Sequence, residues 1–325
     1  MIVINRKFIG MKKSVLVAAI LFCFFVKIGA SFQGSASLEN ILTYSQENNT
    51  DLIIFSKDRP LQLFAYLKSL HKNVTALHKI YVLYRTSNQN YEFAYQEVKK
   101  KFFNVDFVQD GVKPFGSFRA SLLHLLFEVS KSPYIMFGVD DIIVTDFINI
   151  RDCVIALRET NAYGFYLRFG KNITQCYVNG SKNCSLPPLK EVKKGIYAWQ
   201  FKKGVYDWNF PNTVDMTIYN KQDLKVFELF DFYAPNSLEA RWSKHADKNK
   251  IGLCYEFSKM VNIPLNKVQV EDPKNKSRNM NALTAEQALT MFMSGMEIDS
   301  NALFKINNKA PHMAYDPVFK KREVV

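Results

Sequence analysis

The sequence predicts an α/β fold in which a mostly parallel sheet is covered by helices. Three observations carry this. Short apolar runs alternate with amphipathic segments four times, at a spacing of roughly 25–30 residues, the rhythm of strand–helix–strand units. The runs are continuously apolar, as in strands buried on both faces. Two of them end in charged clusters, Ser56–Arg59 and Asp140-Asp141, and ligands of parallel sheets sit at the carboxyl ends of strands.

In chain order, Leu52–Phe55 is a buried strand closed by a Ser-Lys-Asp-Arg-Pro turn. Apolar residues at 61, 63, 64, 67 and 70 make Leu61–Leu70 an amphipathic helix. Ile80–Tyr84 predicts a strand, Tyr91–Phe102 a helix, Val105–Val108 a strand, Phe118–Val129 an apolar helix and Tyr134–Val139 a strand. The second half reads as mixed α+β. Asp146–Glu159 predicts a helix and Gly164–Arg168 a strand, followed by a turn-rich excursion over Asn172–Pro188. Ile196–Phe201 and Thr213–Tyr219 predict strands around a loop that carries Asp207-Trp208. Asn220 caps a helix over Lys221–Leu229, and Asn236 caps another through Trp242 to His245. Thr284–Gln287 is a capping box before an apolar face at Leu289, Phe292 and Met296. No repeat or linker divides residues 37–325, which are expected to form one domain.

At 48% hydrophobic with 27 Phe and 16 Tyr, the chain has enough apolar surface to offset ordering entropy, which excludes a disordered protein. Residues 1–36 hold five cations and no acid, so the net charge of +13 falls to +8 without them. The remaining excess is dispersed and suits a phosphate-bearing small ligand; no basic block predicts a nucleic-acid groove. From Met11, two lysines precede a 13-residue apolar stretch, Ser14–Val26, and a small-residue exit at Gly34-Ser35-Ala36. This is the pattern of a signal peptide, and its ~20 Å length as a helix is short for a membrane span. Residues 1–36 are thus expected to be a signal peptide or short membrane anchor. The protein would be secreted, periplasmic or lumenal, or held at the cytosolic face of a membrane if the segment is retained. Cys176 and Cys184 flank Asn179-Gly180-Ser181, a turn that suits either a disulfide or two unrelated thiols.

Two carboxylates at a strand end, Asp140 and Asp141, can hold a hard divalent cation that bridges phosphate oxygens, or can serve as turn and capping acids. The Ser56–Arg59 loop can surround a nucleotide with amides, a carboxylate and a guanidinium, or make an ordinary turn before a helix. The phosphate-loop, dinucleotide, zinc-protease and serine-hydrolase signatures do not occur in the sequence.

The order Ile-Ile-Phe-Ser-Lys-Asp-Arg-Pro-Leu-Gln-Leu, Ile-Tyr-Val-Leu-Tyr-Arg, then Tyr-Ile-Met-Phe-Gly-Val-Asp-Asp-Ile-Ile resembles the nucleotide-diphospho-sugar transferases of the GT-A fold, a Rossmann-like architecture. The resemblance covers residues 51–146 in order and spacing and extends more loosely to the C-terminus. It implies a nucleotide-binding half over 51–146 and an acceptor half over 147–325. It further implies nucleotide contacts from Ser56, Asp58, Arg59, Tyr84 and Arg85, and Mn²⁺ or Mg²⁺ held by Asp140 and Asp141. The family's Asp-x-Asp spacing is not kept in Val139-Asp140-Asp141-Ile142. A late His as a further metal ligand would be His312. A carboxylate must take the acceptor proton in an inverting transfer, and Glu239, Asp207 and Asp215 are the candidates. Asp207 stands beside Trp208, a ring on which a sugar could stack, or the two are a solvated loop acid and a core Trp. The implied partners are a nucleotide-sugar donor and a glycan, lipid or protein acceptor. Two other readings are a degenerate member of the fold that binds a glycan or nucleotide without turnover, and a secreted basic interaction protein.

Overall fold

The computed structural model describes residues 49–113, 116–177, 182–266 and 283–323. The leader at 1–36 and the Asn179-Gly180-Ser181 turn lie outside them. The first half alternates β1 (Thr50–Lys57), α1 (Pro60–Asn73), β2 (Lys79–Arg85), α2 (Gln89–Lys101), β3 (Asp106–Gln109), α3 (Phe118–His124) and β4 (Tyr134–Val139). These four strands are parallel and run in the order β3-β2-β1-β4. In β1, every residue from Thr50 to Ser56 is buried, which explains its unbroken apolar run. Leu52 and Ile54 join a core with Leu63 and Leu67 of α1 and Val98 of α2, whereas Ile53 and Phe55 join a second core with Phe118 and Leu122 of α3. Burying each such side chain contributes roughly 1.5–3 kcal/mol. Pro60 opens α1, Asn88 caps α2 through the amides of Asn90 and Tyr91, and Ser117 caps α3 through that of Ala120. The predicted Phe118–Val129 helix widens after His124 into a π-helical turn over Leu125–Val129.

The second half holds β5 (Ile142–Val144), α4 (Ile150–Thr160), β6 (Gly164–Tyr166), β7 (Lys190–Lys193), β8 (Ile196–Gln200), β9 (Thr217–Asn220), α5 (Pro235–Trp242), β10 (Ile251–Tyr255), β11 (Met260–Asn262) and α6 (Ala285–Met293). The sheet continues past β4 as β9-β6-β10-β8-β7, giving nine strands. β9 is antiparallel to both β4 and β6, and its entry turns a parallel sheet into a mixed one. β11 pairs with β5 outside this sheet and carries Asn262 to the carboxyl end of β4. The fold is the expected α/β arrangement, a parallel first-half sheet with helices on both faces and a mixed second half.

Several local expectations are corrected. Lys221–Leu229 is a 3-10 helix, although Asn220 does cap it through the Gln222 amide. The residue that caps α5 is Ala234, and Asn236 lies in its first turn behind Pro235. Met296 belongs to a strand, Met296–Ile298, and the buried residues of α6 are Ala288 and Phe292. β5, β7, β10 and β11 lie outside the sequence expectations: β5 and β11 have three residues each, and β7 is exposed throughout. Cys176 and Cys184 are both buried as thiols. Among the described residues no helix is long and apolar enough to cross a membrane.

Candidate active site

The carboxyl ends of β1, β2 and β4, α5, and the loops carrying Asp207 and His312 enclose a cavity of about 750 Å³. Ser56, Arg59, Tyr84, Arg85, Asp140, Asp141, Asp207, Asp215, Glu239 and His312 all line it. Asp58 does not. Its backbone adopts φ 54°, in the left-handed region that Asp tolerates better than most residues. Its carboxylate accepts hydrogen bonds from the Ser87 amide, at 2.8 Å, and from the Ser87 hydroxyl. Asp58 therefore builds the turn that puts its neighbours Lys57 and Arg59 in the cleft, and it does not itself line the cavity.

Arg59 is committed to acids. Its Nη1 lies 3.1 Å from Asp140 Oδ1 and 3.2 Å from Asp141 Oδ2, its Nε donates to Asn266 Oδ1 at 2.8 Å, and its Nη2 donates to the Asn266 carbonyl. Burial opposes the guanidinium charge, but Asp140 and Asp141 outweigh it and hold the pKa above its ordinary value. The other Asp140 oxygen accepts from Ser56 Oγ at 2.9 Å and from the Lys57 amide at 3.3 Å. Since Ser56 donates to Asp140, the 2.5 Å contact between Ser56 Oγ and Tyr95 Oη has the tyrosine as donor. Burial pushes the Asp140 pKa up to about 6, against Arg59 and with help from the Asp141 charge. At the next strand, the Tyr84 hydroxyl is held by Glu92 and Lys99, and Arg85 pairs with Asp110 at 2.8 Å.

The opposite wall is built by the second half. Arg168, only 2% exposed, donates to Asp215 Oδ2 at 3.2 Å, and its Nε and Nη2 have no partner among the described residues. Asn262 Nδ2 reaches both Asp215 Oδ1 at 3.2 Å and Asp141 Oδ1 at 3.4 Å, stitching the two walls together. His312 is brought in by a backbone bridge to Asn262 and lies 3.6 Å from Asp215 Oδ2, so its nearest acid is Asp215 and not the Asp140–Asp141 pair. Asp207 has a buried carboxylate oxygen without a partner among the described residues. Its neighbour Trp208 is fully buried, donates to the Ile173 carbonyl and stacks on Phe169 at 4.3 Å, so it offers no face to a sugar.

Glu239 projects from α5, and its Oε1 accepts from the Val214 amide at 2.8 Å. Burial first and the neighbouring Asp215 charge second push its pKa up to about 7, against the Val214 and Thr213 hydrogen bonds and Arg168. A carboxyl poised there can take a proton from a hydroxyl near neutral pH.

The oxygen donors of Asp140 and Asp141, with the partnerless Asn262 Oδ1 nearby, suit a hard divalent cation, which commonly takes one or two protein carboxylates together with phosphate oxygens. Among the described residues no group of three or more His, Cys, Asp or Glu converges on such an ion, and Arg59 already bridges the pair. Sequence reasoning missed Lys57, Asp110, Arg168, Asn262 and Asn266, all of which line the cleft. A charged residue at the end of a predicted strand or two residues past it was an available signal for Lys57, Asp110 and Arg168. Nothing local marks the two asparagines.

No family model matches the chain. It is similar to the bifunctional glycosyltransferase pgtA of Dictyostelium discoideum, 34% identical over 141 residues. That match covers 41% of this chain and 18% of pgtA, so the chain spans less than a fifth of its relative's length. Among solved structures it is similar to residues 1–349 of S. aureus TarS, at 11% identity and a TM-score of 0.40, covering 64% of this chain and 58% of that one. A further likeness is to 4-diphosphocytidyl-2C-methyl-D-erythritol synthase of Anaerococcus prevotii, at 13% identity and a TM-score of 0.37, covering 68% of this chain and 92% of that one. Both structural likenesses are distant.

Proposed function

We propose that this protein is a glycosyltransferase that moves a sugar from a nucleotide-diphosphate donor to an acceptor hydroxyl of a glycan, lipid or protein. The observation that carries the reading is Glu239, a carboxyl with a pKa of about 7 in the same cleft as the Arg59–Asp140–Asp141 cluster. The similarity to a glycosyltransferase over 141 residues agrees with it. The donor nucleotide would lie over the ends of β1 and β2, beside Ser56, Tyr84 and Arg85, with its diphosphate toward the end of β4.

Ionised Glu239 takes the acceptor hydroxyl proton as that oxygen attacks the anomeric carbon. The bond from that carbon to the diphosphate oxygen breaks, and the diphosphate leaves with the electron pair. Asp215 keeps Glu239 basic through its charge, and Arg168 and Asn262 hold Asp215 in place. A divalent cation, held by Asp140 and Asp141, would neutralise charge on the leaving diphosphate. Positioning and fixed charge do most of the work of such a displacement.

The test is nucleotide release from a panel of UDP- and GDP-sugars, with wild type and Glu239→Gln side by side. Release by wild type from one donor, lowered by the substitution, is the expected result. A folded wild type that turns over none of them sinks the enzyme reading and favours a binding protein of the same fold. We further infer from residues 1–36 that the protein is exported or membrane-associated; fractionating cells that express the full chain or residues 37–325 checks this, and identical distribution of the two refutes it.

A further inference from the structure

We infer that Lys57 is the cation that receives the donor's diphosphate, an inference that rests on the donor reading above. Among the described residues, and apart from His312, the cationic side chains lining the cleft are those of Lys57, Arg59, Arg85 and Arg168. Three of these are committed to carboxylates. Arg59 is shared by Asp140 and Asp141, Arg85 pairs with Asp110 at 2.8 Å, and Arg168 pairs with Asp215 at 3.2 Å. Lys57 differs: among the described residues no carboxylate lies within ion-pairing reach of its ammonium group.

Its position suits the role. Lys57 is the last residue of β1 and stands in register with Arg85 of β2. Side chains alternate along a strand, so Lys57 shares a face with Ile53 and Phe55, and Phe55 lines the cleft together with Leu83 and Phe118. Its amide donates to Asp140 Oδ2 at 3.3 Å, fixing its backbone against the acid cluster. The Lys57 backbone therefore lies against the Asp140–Asp141 pair while its side chain lines the same cleft.

Charge counting makes the same point. One guanidinium against two carboxylates leaves the Arg59 cluster without positive charge to spare for an incoming diphosphate. An uncommitted lysine is a compact point charge on a flexible stem, and it can follow the phosphate oxygens as they take up charge during departure. Lys57 is half-buried at the cleft wall, so its flexible stem can carry the ammonium toward a bound ligand.

The experiment is calorimetric titration of wild type, Lys57→Met and Lys57→Arg with UDP, GDP and inorganic pyrophosphate in Mg²⁺ buffer. The expected result is that Lys57→Met weakens the nucleotide bound by wild type, and pyrophosphate, about tenfold, with Lys57→Arg restoring most of the loss. Lys57→Met that binds that nucleotide within twofold of wild type overturns the assignment and leaves the donor reading standing. Folded wild type that binds pyrophosphate but neither nucleotide defeats the donor reading alone, and the pyrophosphate series still decides Lys57. Wild type that binds none of the three overturns both. Unchanged thermal midpoints separate a lost contact from a lost fold.

Discussion

Asp140 and Asp141, at the end of β4, share a guanidinium, whereas Glu239, in α5, has no cation in direct contact. All three acids line one cleft, and burial raises both Asp140, to about 6, and Glu239, to about 7. The first pair is ordered around Arg59. The second is left near neutrality by its surroundings, with Arg168 engaged by Asp215. One arrangement suits holding a ligand and the other suits moving a proton, and the difference lies in which acid is given its own counter-ion.

That division can be broken experimentally. Asp140→Asn with Asp141→Asn should have the largest effect, abolishing measurable nucleotide binding and turnover; calorimetry with UDP and GDP reads it, with circular dichroism to verify folding because Arg59 loses its counter-ions. Glu239→Gln should lower turnover by ~10²–10⁴-fold and leave nucleotide affinity within twofold, since general-base catalysis contributes in that range. A parallel loss of affinity would erase the distinction between the two sides. In wild type, kcat/KM should rise with pH and level off above about 7, because Glu239 acts in its ionised form. A profile that falls between pH 5 and 7 would assign the proton to another group.

Stability sharpens the comparison further. Arg168→Met leaves Asp215 buried without its cation and should cost about 3–5 kcal/mol, measured by urea unfolding. Glu239 has its folded pKa raised from 4.5 to about 7, so the unfolded chain ionises first and stability is lost as pH rises through that window. Glu239→Gln should therefore raise the thermal midpoint at pH 8 by ~3 °C, a gain that vanishes toward pH 4. The smallest effect is expected at Asp58→Asn, about 1 kcal/mol of stability with nucleotide affinity within threefold, since the side chain braces a turn.

Much of the first half was readable because its determinants are local. The apolar run in β1, the Pro60 start of α1 and the Asp-Asp end of β4 each announce themselves within a few residues. Asp58 shows the limit of that reading. A charged residue in a strand-end loop looks like a ligand contact, yet Asp58 has a positive φ and spends its carboxylate on Ser87, which bracing of the turn explains. Trp208 shows the same limit: of its two readings, sugar platform and core ring, the fold selects the core, and adjacency to an acid could not choose between them.

Local periodicity, caps and turns determined from the sequence that a parallel sheet would exist and which strand ends would carry acids, because these depend on neighbours within one or two turns of chain. Only the folded structure decided that Arg59 would bridge Asp140 and Asp141 from 81 and 82 residues away, that Asn262 would join Asp141 to Asp215, and that Asp215 and burial would raise Glu239. Ion pairing and desolvation are set by distance and exclusion of water, and neither is a property of any segment taken alone.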